Sequence, residues 1–311
     1  MGYLPAKWRD YLFGINRFRA KNRIYPQEQA IVFFTEKGKW HGGFCDRMKG
    51  IISLYHFCLC RDIPFKINYT FPFEISNFLL PNEYDWSIKK EAVTFHRKEA
   101  KLMVLYGKDK VKRLLQLKSK KQIHAFFNTD IIEQLNREFQ TKYTWGELYN
   151  SLFKPTEELQ NLLSFHKKTL GETYISAHFR FIGMLEDFEK RQNDRLFGEE
   201  KENLICRNLQ IIDEIKKKYP NKTIFVATDS NVFANRAREI RGVYTLTDNI
   251  LHIDDSDKED HAAYLRVFLD FYLLSESESI FSVGTSEMYQ SDYPAYAAKV
   301  NNIPFERILI K

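Results

Sequence analysis

"KTIFVATDSNVFANRAREIRGVYTL", residues 222–246, decides the fold class. It opens with an apolar run through Ile224, Phe225, Val226 and Ala227, which reads as a buried strand. A helical pattern follows over 231–242 and stops at Gly242, a residue suited to the backbone that ends helices. A second apolar run, 243–246, closes the stretch. Strand, helix and strand in so short a span point to parallel strands joined by a crossover helix.

Working outward, the same rhythm recurs. "TYISAHFRF" (173–181) predicts a strand, and 199–220 an amphipathic helix stopped by Tyr219-Pro220. Downstream come a helix over 259–277, a strand over 279–286 and a last helix within 286–300. The first half predicts strands at 30–35, 63–70, 101–107 and 123–129, with a helix over about 46–60. Residues 71–100 read as a structured loop, and helical patterns fill 130–169 with a break near Pro155. A seam near 165–172 divides the chain into two Rossmann-like domains, 1–168 and 169–311, expected to face a cleft. Ligands in such sheets bind beyond the carboxyl ends of the strands.

The 311 residues are 44% hydrophobic and 28% charged, a globular composition with room for two cores. No apolar run approaches the roughly 18–20 residues of a membrane-crossing helix. The N-terminal residues lack a leader's unbroken apolar stretch, and Cys45, Cys58, Cys60 and Cys206 show neither zinc nor disulfide spacing. The expectation is a cytoplasmic protein with reduced thiols. A net charge of +6 suits an anionic partner. The basic runs 9–23 and 108–122 read as solvated helix faces or as contact surfaces. Residues 7–23 interleave Trp8, Tyr11, Phe13 and Phe18 with Lys7, Arg9, Arg17 and Arg19, as a peripheral membrane helix does. Nucleic acid is not expected as the partner, because it gives His178, Asp229 and Asp270 no role.

Four strand ends then hold the candidate residues. After the first strand, Gly42 and Gly43 lead into a helix, either a tight turn or a start open to a ligand's polar atoms. His178 and Arg180 are two apart on a strand and share a face. Arg180 sits among apolar residues and needs an anion, either a phosphate or a neighbouring carboxylate. In the loop beyond, Glu186, Asp187 and Glu189 are solvated acids or include a general base. Asp229 and Ser230 emerge at a strand end, as ligand contacts or as helix caps. Asp270 lies among apolar residues late in a helix, where the dipole disfavours it. Arg266, four residues earlier, is one partner for it; a ligand with two N–H donors, such as a guanine edge, is another. Thr285 and Ser286 end the last predicted strand in an anion-friendly setting. "HIDDSDKEDH" (252–261) lacks the glycine and terminal glutamate of a calcium loop and reads as an acidic surface segment.

Four motifs together, "GGFCDRMKGI" (42–51), "HFR" (178–180), "FVATDS" (225–230) and "DFYLLSESESIFSVGTSEM" (270–288), resemble the fucosyltransferase superfamily of α1,6-fucosyltransferases and protein O-fucosyltransferases. The resemblance implies a GT-B fold, GDP-fucose as donor, and inversion at the anomeric carbon without cofactor or essential metal. By residue, it implies Arg180 on the β-phosphate, His178 and Asp270 on guanine, and Asp229 beside the nucleotide. Thr285 and Ser286 would reach the pyrophosphate, and Gly42 and Gly43 would let their loop close over the donor. Glu186 or Asp187 would be the base. Several α1,6 members carry two successive arginines; Phe181 fills the second place here, which leaves the linkage open. The expected acceptor is a glycan or lipid-linked oligosaccharide, as in bacterial polysaccharide assembly at the inner membrane face. The alternatives are another nucleotide sugar on the same scaffold, or a non-catalytic GDP- or anion-binding module.

Overall fold

The computed structural model describes residues 13–18, 29–37, 41–105, 110–185, 195–246 and 260–310. The chain forms two compact units, Met1–Lys154 and Pro155–Lys311.

In the first unit, β1 (Ile31–Thr35) leads into α1 (Phe44–Arg61) and returns as β2 (Phe65–Tyr69). β3 (Ala100–Val104), α2 (Lys110–Leu115) and β4 (Gln122–Phe126) repeat the pattern, followed by α3 (Ile132–Phe139) and α4 (Trp145–Leu152). The strand order is β2-β1-β4-β3, all parallel. β1 reads as an unbroken apolar run because both its faces are covered. Its Ile31, Val32, Phe33 and Phe34 are fully buried, each worth about 1.5–3 kcal/mol. α1 is buried almost all round, and Gly50 lets it lie against the chain after β4. A Cβ at Gly50 would stand 1.9 Å from the Phe127 carbonyl oxygen.

In the second unit, α5 (Glu157–Leu170) precedes β5 (Tyr174–Phe179), α6 (Gly198–Lys218), β6 (Thr223–Thr228), α7 (Asn231–Arg238) and β7 (Val243–Tyr244). Then come α8 (His261–Ser275), β8 (Ile280–Thr285), α9 (Tyr293–Asn301) and β9 (Phe305–Ile310). The order β9-β8-β5-β6-β7 is again all parallel. The chain winds outward one way from β5 through β7 and the other way through β8 and β9. The switch point therefore lies between β5 and β8, where open α/β sheets leave a crevice. In the first unit it lies between β1 and β4.

Several expectations need correction. The seam does not fall at 165–172: α5 belongs wholly to the second unit and the division lies at 154/155. α5 is tied there by the His166 Nδ1–Tyr244 hydroxyl contact (2.7 Å) and by His261 against Glu158 (3.0 Å). β9 was not anticipated, since it is an edge strand whose alternation is blurred by Glu306 and Arg307. The last helix, expected within 286–300, is there as Tyr293–Asn301; what differs is that Thr285 and Ser286 lead into a bend over 286–292 before it.

Within the expected membrane-facing stretch, residues 13–17 form a helical turn set on the first sheet. Phe13 meets Phe126 edge-on at 5.5 Å. The Arg17 guanidinium lies over Phe34 at 4.4 Å, donates from Nε to His124 Nδ1 (2.8 Å) and pairs with Glu36. These side chains serve the core, and residues 7–12 and 19–23 lie outside the described ones. No helix among the described residues is long and apolar enough to cross a membrane.

Candidate functional site

His178 and Arg180 sit at the carboxyl end of β5, on the switch point. The register places His178 opposite Ser282 of β8 on one side and Ala227 of β6 on the other. Ser282 in turn pairs with Arg307 of β9, so His178, Ser282 and Arg307 form one row. Burial holds the His178 imidazole neutral, with a pKa pushed down to about 3, and the charges of Arg180 and Arg307 push the same way.

Asp229 shapes the turn that follows. Its Oδ1 accepts from the Phe181 amide (2.7 Å) and its Oδ2 from the Ile182 amide (2.9 Å). Ile182 (φ 48°) and Gly183 (φ 79°) both lie in the left-handed region, so this turn needs an external anchor. Oδ2 also lies 3.3 Å from the Arg180 Nη1. The neighbouring carboxylate foreseen for Arg180 is therefore present. Two amides already occupy that carboxylate, and the arginine side chain stays 21% exposed at the sheet's end. Ser230 caps α7 by accepting from the Phe233 amide (3.1 Å). Phe181, where a second arginine was compared, packs on Phe233 at 4.9 Å.

Asp270 is the most unusual group. Arg266 Nε donates to its Oδ2 (2.9 Å), the pairing that the four-residue spacing allowed. Its Oδ1 is buried without a hydrogen-bond partner among the described residues. Burial raises its pKa although Arg266 pulls it down. An unmet buried acceptor of this kind costs about 1–3 kcal/mol, which a donor group on a ligand would relieve.

Tyr293, at the start of α9, stands between His178 and α8, the helix that carries Asp270. Its ring lies 5.7 Å from that of His178, and its hydroxyl donates to the Val267 carbonyl, one helical turn before Asp270. Sequence reading missed this tyrosine; its position just before Pro294 marked a helix start but not what the ring touches. It also missed Arg307, which lay in an unrecognised strand and donates to the Ser291 carbonyl (3.1 Å).

At the end of β8, Thr285 is buried and its Oγ1 accepts from the Glu287 amide (3.3 Å). Ser286 is exposed. Gly284 keeps the face beside Ser282 low, with Gln290 Nε2 3.3 Å from where a Cβ would stand. His178, Arg180, Ser282, Thr285 and Ser286 thus belong to the adjacent strands β5 and β8 or their carboxyl ends, and Tyr293 ties His178 to α8, the helix that carries Asp270.

The Gly42-Gly43 turn stands at the first unit's switch point. Gly42 has φ 72°, and a Cβ there would meet Asp46 Oδ2 at 2.3 Å. Gly43 caps the start of α1, and a Cβ there would find nothing within 4 Å. The buried Arg47 fixes the turn, donating from Nε to the Gly42 carbonyl and from Nη1 to the Tyr69 hydroxyl and the Phe71 carbonyl, all at 3.0 Å. His41 packs beside it on Phe126 at 5.7 Å. The helix start is therefore rigid and open. Glu186, Asp187 and Glu189, and Asp255, Asp257 and Glu259 of the acidic segment, lie outside the described residues.

No family model and no curated protein matches the chain. Solved structures do. Arabidopsis thaliana FUT1, a mutant in complex with GDP, is 11% identical, with 96% of this chain and 73% of that chain covered and a TM-score of 0.57. NodZ fucosyltransferase from Bradyrhizobium is 13% identical over 87% of this chain and 93% of its own, with a TM-score of 0.53. POFUT1 in complex with GDP is 12% identical over 91% and 98%, with a TM-score of 0.51. With one parallel sheet in each of its two units, this protein has the GT-B fold of the fucosyltransferases.

Proposed function

We propose that the chain is an inverting glycosyltransferase that moves fucose from GDP-fucose to a hydroxyl of a glycan or lipid-linked oligosaccharide. The observation that carries this reading is the buried, unpartnered Oδ1 of Asp270 on α8, a helix that Tyr293 ties to a neutral His178 at the switch point. A guanine edge offers N–H donors, and the Oδ1 of this carboxylate lacks one. The GDP carried by structures of the same fold supports the choice of nucleotide.

In this reading Asp270 accepts from the guanine edge and His178 bounds the base. Arg180 and Ser286, with Thr285, meet the pyrophosphate and stabilise the negative charge that builds as it leaves. Asp229 holds the Phe181–Ile182 turn and aims Arg180. Glu186 or Asp187 removes the acceptor's proton while its oxygen attacks the anomeric carbon from the face opposite the departing GDP. Gly42 and Gly43 present an open helix start to a ligand's polar atoms. No cofactor or metal is assigned a part.

The rival reading makes Arg180 purely structural, as its pairing with Asp229 favours. Calorimetric titration with GDP-fucose, GDP-mannose and UDP-glucose, together with R180A, separates the two. GDP-fucose is expected to bind tightest. R180A is expected to lose about 100- to 1,000-fold in turnover with its melting temperature kept. Equal binding of UDP-glucose, or near-full activity of R180A, would overturn the proposal.

A further inference from the structure

We propose that the edge of the first unit's sheet, built from residues 89–101 and 110–121, docks on an anionic phospholipid bilayer. The described residues between 89 and 121 carry eleven lysines and arginines against two glutamates, while the whole chain has a net charge of only +6. This surface alone therefore accounts for the basic balance of the protein.

The fold gathers these charges. Segments 89–99 and 116–121 precede β3 and β4, so both lie at the amino ends of two adjacent parallel strands. They are tied together there: the Gln122 amide donates to the Glu99 carbonyl (2.9 Å), Lys121 Nζ to the Arg97 carbonyl (3.1 Å) and Gln122 Nε2 to the Ala92 carbonyl (2.9 Å). Lys89, Lys90, Lys98, Lys118 and Lys120 are exposed around them. The Gly42-Gly43 turn lies beyond the carboxyl end of the same sheet. Segments 89–99 and 116–121 are thus at the end of this sheet away from that turn, where they are not needed to bind a donor, and α2 adds Lys110, Lys112 and Arg113 on the return from the carboxyl end of β3.

Three features select a bilayer. Nine of the eleven cations are lysines, which act as hydrated point charges in a diffuse field, whereas forked recognition of individual phosphates favours arginine. Phe95 is 37% exposed between these basic segments, held edge-on by Phe34 (6.5 Å) and His124 (5.3 Å), and an aromatic ring suits the headgroup level. Protecting an edge strand from pairing needs only a charge or two, and β3 already has Lys101.

The test is co-sedimentation of the full chain with vesicles of phosphatidylcholine alone or mixed with phosphatidylglycerol, at low and raised salt. Binding is expected only to the mixed vesicles, and it weakens with salt. Near an anionic surface each basic residue strengthens attachment about fivefold. The variant K98Q/K112Q/R113Q/K118Q/K120Q should therefore bind more than about a hundredfold more weakly. A control, K142Q/K154Q/K168Q/K217Q/R241Q, loses the same charge from exposed sites elsewhere and should bind nearly as wild type. If the five-site variant fails to fold, K118Q/K120Q alone should show a loss of about 25-fold. The proposal is overturned by no binding to mixed vesicles, by equal binding to neutral ones, or by an unchanged basic-edge variant. It also falls if both variants weaken equally, or if single-stranded RNA binds more tightly than the mixed vesicles. Heat protection by GDP reads the donor site separately, so the two proposals fail independently.

Discussion

Asp229 carries three contacts on two oxygens: two backbone amides and the Arg180 guanidinium. D229N replaces one acceptor with an N–H donor that faces other donors. It should cost about 2–3 kcal/mol of stability, measured by urea unfolding, whether or not the protein is an enzyme. D270N is expected to behave differently. It removes a charge that burial penalises but also the counter-charge of the buried Arg266, so affinity for GDP should fall, as calorimetry would show, together with stability. At this scale the sequence was partly legible. Arg180 and Asp270 stood out because charges in apolar runs need partners, and the i, i+4 pairing with Arg266 was among the readings. The two amides that occupy Asp229 were not legible, because they come from a turn 47 and 48 residues away.

α1 shows how an element's surroundings fix its sequence. Gly50 sits in mid-helix, where glycine is ordinarily unfavourable by about 1 kcal/mol relative to alanine. G50A would regain that propensity but drive a Cβ against the Phe127 carbonyl oxygen. Because the obstacle is backbone, the substitution should lower the thermal midpoint, by an amount reflecting about 1–3 kcal/mol of overpacking or more. The alternation of strands and helices was readable because strands buried on both faces are continuous apolar runs. β9 escaped because its burial is one-sided and weak, and the bend at 286–292 escaped because polar residues after a strand look alike before a helix and in a loop.

Among the described residues, three buried histidines have their pKa values pushed well down, to neutral rings. Burial pushes His56 down to about 4; His124 falls to about 2 and His178 to about 3, with nearby arginines adding to burial. Since each folded pKa lies below the ordinary histidine value near 6.5, the unfolded chain binds more protons in the interval between them. Stability is therefore full above about pH 6.5 and falls with acidification by about 1.4 kcal/mol per pH unit for each ring. The first unit holds two of the three and the second holds one. Between pH 6 and 5 the first unit should lose stability about twice as steeply from this cause, which hydrogen exchange resolved by segment would detect. The number of units was legible from the repeated rhythm, whereas their boundary was not, because α5 looks like a continuation of the helices before it until its contacts with Tyr244 and His261 are known.

The ring of Tyr293 rests on His178 across 115 positions of chain. Long loops close late, because their entropy is lost before any contact repays it. During refolding, backbone structure should return first and nucleotide recognition only afterwards, once α9 has seated. A stopped-flow experiment pairing far-ultraviolet circular dichroism with a fluorescent GDP analogue would see the second signal lag the first.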